Sequence, residues 1–229
     1  MISLFVVGLL LGMRHALEAD HVAAVAALAS SQNSFKQAIK QGLAWGLGHT
    51  ITLFIIGSIV IWMDSIIPQS LAHTLEFLVG VMLVILGADV LRRVIRQKIH
   101  FHLHNHLSKT HFHAHSHANQ ITHTETNHQH QHENKFPLRF LLVGLMHGMA
   151  GSAALILLTL ENINSPWQGM LYILLFGLGS MLGMGLLSLA IALPLRSSAK
   201  GLTWLNNSLQ TAIGLFTIII GSHIIYSFS

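Results

Sequence analysis

Six stretches of this chain are each long and apolar enough to cross a lipid bilayer, and few architectures accommodate that. A helix of about 20 apolar residues covers the hydrocarbon core. The stretches lie near residues 2–29, 37–62, 71–95, 137–160, 167–195 and 203–227. Only 9% of all residues are charged, against about 25% in a soluble domain. The expectation is an all-α integral membrane protein of six transmembrane helices, with the lipid bilayer as its surroundings.

The few charges are sorted by loop. Lys36 and Lys40 follow the first stretch, and Arg92, Arg93, Arg96, Lys98, Lys109, Lys135 and Arg139 cluster in or beside the third loop. Arg196 and Lys200 lie in the fifth, whereas the second and fourth loops hold Asp64 and Glu161. Cationic loops stay in the cytoplasm. Loops one, three and five are therefore expected inside the cell membrane and both termini outside. The net charge of +4 sits in these loops and does not argue for nucleic acid. The first stretch has no basic leader and carries charges, so it is expected to be a retained span, not a cleaved signal. There is no cysteine, which excludes disulfides and thiolate metal sites.

The two halves resemble each other. LLLGMRH (9–15) matches LLVGLMH (141–147), which superposes His15 on His147. WGLGHTITL (45–53) matches FGLGSMLGM (176–184), pairing His49 with Ser180. LEFLVGVMLVILGADVL (75–91) matches LQTAIGLFTIIIGSHII (209–225), pairing Gly80 with Gly214 and Gly87 with Gly221. Three matches in one order at nearly one offset indicate a duplication. Residues 1–95 and 137–229 then form two repeats of three helices. An odd number makes the second enter from the opposite side, a 3+3 inverted repeat whose substrate site belongs near the midplane.

One segment breaks the apolar pattern at that depth. MRHALEADHVAAV (13–25) packs Arg14, His15, Glu18, Asp20 and His21 into eight residues of the first span. A charge at mid-membrane costs about 2.5–3.5 kcal/mol even on mild scales, so each group needs a partner or a task. Arg14 and Glu18, four apart, are expected to pair on one helix face. His15, Asp20 and His21, with His49 from the second span, remain as ligands for a divalent first-row metal: imidazole nitrogen suits such ions and the carboxylate offsets their charge. On an ideal helix His15, Asp20 and His21 diverge by at least about 100°. Span one is therefore expected to be distorted near residues 15–21. His147 either binds the ion or hydrogen-bonds a ligand, and Ser180 is a further polar group at the same depth. Asp89 and His223, near opposite membrane faces, are expected to be vestibule or structural residues.

The third loop, residues 96–136, has another composition and holds 12 of the 18 histidines. His100, His102, His104 and His106 alternate with other residues, as do His111, His113, His115 and His117, and then His128, His130 and His132. Polar residues fill most of the gaps, so the loop is expected to be disordered and to buffer transition metal in the cytoplasm.

RHALEADH resembles the signature of the nickel/cobalt permease family, a histidine, four residues and Asp-His in a transmembrane helix. Here these are His15, Asp20 and His21, preceded by Arg14. GLGHT (46–50) is similar to that family's second motif, which contributes His49. The chain departs from the larger members: their first helix and later signatures are missing, and Glu18 stands where aspartate is usual. Its compactness looks like the branch that includes urease-associated nickel permeases. The resemblance implies uptake of Ni2+, with Co2+ as second candidate, as substrate rather than cofactor. It also implies delivery towards metalloenzymes such as urease, with cytoplasmic metallochaperones as receivers. Efflux through the same site is the alternative, and a metal-sensing membrane protein without transport is the second. An enzyme is not expected: His-Glu-x-x-His is absent, and so is any His-His pair.

Overall fold

A computed structural model describes residues 2–30, 34–63, 68–96, 99–106, 109–116, 137–150, 165–199 and 203–228. In chain order its helices are α1 (Ile2–His15), α2 (Ala19–Ala29), α3 (Phe35–Met63), α4 (Gln69–Arg96), α5 (Leu138–Ala150), α6 (Pro166–Ala199) and α7 (Thr203–Phe228). Of these, α3, α4, α6 and α7 are long and apolar enough to cross a membrane, while α1, α2 and α5 are shorter apolar helices. The protein is a helical, multi-pass membrane protein. The fourth expected span, 137–160, is described only as far as Ala150.

The first expected span is two helices rather than one. After His15 the backbone tightens, with Leu17 N–H donating to Arg14 O (2.9 Å) and Glu18 N–H to His15 O (3.0 Å). These three-residue bonds close α1. Glu18 is then extended, and α2 restarts from it as Val22 N–H reaches Glu18 O (2.9 Å).

Two β-strands lie between α4 and α5, β1 (Ile99–His106) and β2 (Lys109–Ser116), paired antiparallel with His100 opposite His115, His102 opposite His113 and His104 opposite His111. Apart from this hairpin the described residues are all-α. The histidines alternate with a period of two, which is the period of a strand. Composition alone misses that. His117, His128, His130 and His132 lie outside the described residues.

The helical part is assembled inside out relative to a soluble protein. Large side chains such as Ile55, Ile59, Ile85, Leu142, Leu186 and Ile219 are exposed on its outer surface, where lipid is the solvent. Small residues are frequent inside, beside larger buried ones such as Trp45, Leu83 and Met184. The alanine-rich α2 packs against α3, α4, α6 and α7, and Ala23 through Ala29 are all buried. Its far end is fastened by Arg93 of α4. The guanidinium donates to Ala27 O (3.3 Å) and Ser30 Oγ (3.4 Å), and Nε lies 3.5 Å from Asp89 Oδ2.

Helix α1 packs on α6, α3 on α5 and α4 on α7, and glycines set the separation. A Cβ on Gly12 would strike the Phe176 carbonyl, and one on Gly144 the Trp45 carbonyl. Gly48 meets the Leu141 carbonyl in the same way, and Gly179 the Leu9 carbonyl. A Cβ on Gly80 would come within 2.9 Å of Gly221 O, and one on Gly87 within 2.7 Å of Gly214 O. Such approach leaves carbonyls within reach of buried hydroxyls on neighbouring helices. Thr52 Oγ1 donates to Leu145 O (3.0 Å), Thr50 Oγ1 to Gly177 O (2.8 Å) and Thr217 Oγ1 to Ala23 O (3.2 Å).

Candidate metal centre

The break between α1 and α2 faces the middle of α3 and the end of α5, and five polar side chains meet there. His15 closes α1, Asp20 and His21 open α2, His49 stands mid-way along α3, and His147 lies near the end of α5. All four histidines are at most 5% exposed, and His49 is fully buried. On a continuous helix His15 and His21 would point about 120° apart. The turn at Ala16–Glu18 removes that divergence and sets their ring centroids 4.3 Å apart.

Asp20 organises one side. Its Oδ1 lies 3.0 Å from His21 Nδ1 and its Oδ2 3.0 Å from His147 Nε2. Both nitrogens point at the carboxylate and stand 3.4 Å from each other. Asp20 sits in the first turn of α2, where the helix dipole favours negative charge by about 0.3–1 kcal/mol. The other side is imidazole alone. His49 lies 5.4 Å from His15 and 5.1 Å from His21, centroid to centroid.

Two overlapping ligand sets result, His15–His21–His49 and Asp20–His21–His147, each with its donor atoms within 4.8 Å of one another. Buried His15 Nε2, His21 Nε2, His147 Nδ1 and both nitrogens of His49 have no hydrogen-bond partner among the described residues. A buried polar atom left unpaired costs about 1–3 kcal/mol. A divalent cation that prefers nitrogen would satisfy several at once.

The remaining site expectations fare differently. Arg14 and Glu18 do not pair. Arg14 is exposed, and Glu18 instead accepts from His15 Nδ1 at 3.0 Å. Four-residue spacing pairs side chains only along an unbroken helix, and this one ends between them. Glu18 is therefore a partner of His15 at the edge of the cluster. Ser180 is buried but donates to Gly12 O (3.0 Å), so its hydroxyl ties α6 to α1. His223 is exposed. Asp89 lies beside Arg93 and 3.8 Å from Arg139, lining a cavity of about 230 Å³ with Phe140 and Leu86. Trp45 was not singled out by sequence. It stands one helical turn before His49, is buried, and sets its ring 5.6 Å from His21 and 5.4 Å from His147. The spacing of four within GLAWGLGH was the available signal.

Fold and site define a multi-pass helical membrane protein with a buried imidazole–carboxylate cluster on a broken helix. The comparisons place it further. The chain belongs to the family described as the cytochrome c biogenesis protein transmembrane region, whose profile matches residues 3–223. It is similar to the urease accessory protein UreH of Bacillus sp. (strain TB-90), 35% identical over 227 residues that cover 99% of this chain and 92% of that protein. No solved structure matches the chain. The matched family is a transmembrane region and the relative an accessory protein.

Proposed function

We propose that this protein carries a divalent transition metal, nickel before cobalt, across the cell membrane into the cytoplasm for urease-type metalloenzyme assembly. The observation that carries the proposal is the cluster itself. Four buried histidines gather beside one carboxylate, and five of their nitrogens have no hydrogen-bond partner among the described residues, on a helix broken at mid-span. The resemblance of RHALEADH and GLGHT to the nickel/cobalt permeases, and the 35% identity to a urease accessory protein, support nickel as the metal and urease-type enzymes as its destination.

His15, Asp20, His21 and His49, joined by His147, would replace the water around the ion at the midplane. Alternating access then needs two halves that move against each other. The glycine contacts support a 3+3 inverted repeat. Gly12 meets residue 176 as Gly144 meets residue 45, and the sequence match equates 12 with 144 and 176 with 45. The Gly48–Leu141 and Gly179–Leu9 contacts are equivalent in the same sense, as are Gly80–Gly221 and Gly214–Gly87. The basic loops support termini outside and the His-rich segment inside. That segment then receives the ion and passes it to metallochaperones.

The test is accumulation of radioactive nickel by cells expressing the protein against cells carrying an empty vector. Accumulation rises if the protein imports. A fall below the vector control overturns the uptake direction, and no change in either direction overturns transport.

A further inference from the structure

The two ligand sets share a single residue, His21. Nδ1 faces Asp20 and His147, while the buried Nε2 has no partner. Nitrogens without partners stand on the other side, at His15 Nε2 and on His49. A neutral imidazole has one lone pair in its ring plane and one N–H, so it ligates through one nitrogen at a time. With Nδ1–H donated to Asp20, Nε2 is the free ligand atom and the all-imidazole set is complete. To serve the Asp20–His147 set the ring must present Nδ1 instead, with its proton on Nε2 and its charge unchanged.

The surroundings of His21 are balanced. His15 and His147 flank it at the same centroid distance, 4.3 Å each. His15 packs on Phe176 at 5.2 Å, and His147 on Trp45 at 5.4 Å. Since 15 matches 147 and 176 matches 45, His15 and His147 lie in equivalent relation to the two halves of the chain, with His21 between them.

We infer that the cluster holds two mutually exclusive positions for one divalent cation, one at His15–His21–His49 and one at Asp20–His21–His147, with the His21 ring as the common ligand through which the ion passes between them. The inference rests on the transport reading and specifies its central step. One position is neutral and all nitrogen, while the other carries the carboxylate. The ion therefore changes its coordination chemistry as it moves between the two positions.

The test uses the full-length protein in detergent micelles, with Ni2+ for stoichiometry and Co2+ for its visible absorption spectrum. Wild type binds one Ni2+ per chain. His147→Ala and His49→Ala each still bind one ion, because each leaves one position whole. Their Co2+ spectra differ, all-nitrogen in the first and mixed nitrogen–oxygen in the second. The double variant loses far more affinity than the two single losses combined. Two ions per wild-type chain, bridged by His21, would overturn exclusivity. Loss of all binding in either single variant, with His147→Gln and His49→Gln eluting as wild type does and also failing to bind, would establish one composite site and overturn the proposal. Transport in proteoliposomes separates the two claims. A wild-type protein that binds one ion with these variant spectra but moves none keeps the two positions and loses the transport reading. One that moves nickel but takes two ions does the reverse.

Discussion

Replacing Asp20 by asparagine changes one atom of the side chain and should remove the function. The carboxylate accepts from His21 Nδ1 and His147 Nε2, each at 3.0 Å. Asparagine keeps one accepting oxygen and turns the other edge into a donor, so both bonds lose their charge assistance and one ring must change tautomer to keep its bond. A hydrogen bond to a charged group contributes about 1.5–3 kcal/mol. At about 1.4 kcal/mol per decade that is roughly a 10–150-fold loss of ion affinity. The lost negative charge beside a dication acts in the same direction, so the figure is a lower bound. Equilibrium dialysis of the purified protein with radioactive nickel measures the affinity, and cellular accumulation at limiting nickel measures the consequence. Affinity should fall by at least the factor given and accumulation to background. Wild-type affinity and accumulation in Asp20→Asn, at equal expression, would refute the placing of the site.

Three further outcomes are expected. Gly144→Ala puts a methyl group against the Trp45 carbonyl. Overpacking of this kind costs about 1–3 kcal/mol, so the thermal midpoint in detergent should fall, and an unchanged midpoint would contradict the backbone approach. Arg93→Ala should also lower the midpoint, by the equivalent of about 1–2 kcal/mol, since Arg93 holds the end of α2. Arg139→Ala should leave it unchanged, because that side chain is 69% exposed and 3.8 Å from its partner. Deleting residues 100–132 should weaken nickel accumulation at limiting metal without abolishing it, and complete loss would put the loop on the obligatory route.

What the sequence made legible was whatever polar residues betray in an apolar setting. His15, Asp20, His21 and His49 stood out because hydrocarbon leaves such groups nothing to do, and their divergence on an ideal helix pointed to the break after His15. His147 stood out only as the mate of His15. Its contact with Asp20 joins residues 127 apart and depends on how α5 packs, which no local pattern encodes. The expected Arg14–Glu18 pair assumed the very helix whose distortion was expected, and the two ideas were incompatible. In the loop, composition spoke for disorder, while the alternation of histidines has the period of the strands at Ile99–His106 and Lys109–Ser116. Trp45 stayed hidden because an aromatic residue in a membrane helix is unremarkable until its neighbours are known.

The reciprocal glycine contacts bear on the energy of movement. Side chains that interlock must climb out of one another before two helices can shift, and each such step raises a barrier. At Gly12, Gly48, Gly144 and Gly179 the facing surfaces are a bare α-carbon and a carbonyl, with little relief to disengage. These seams resemble smooth bearings more than gear teeth. A cargo bound at the junction could then shift the balance between two arrangements with the modest energy of a few coordination bonds.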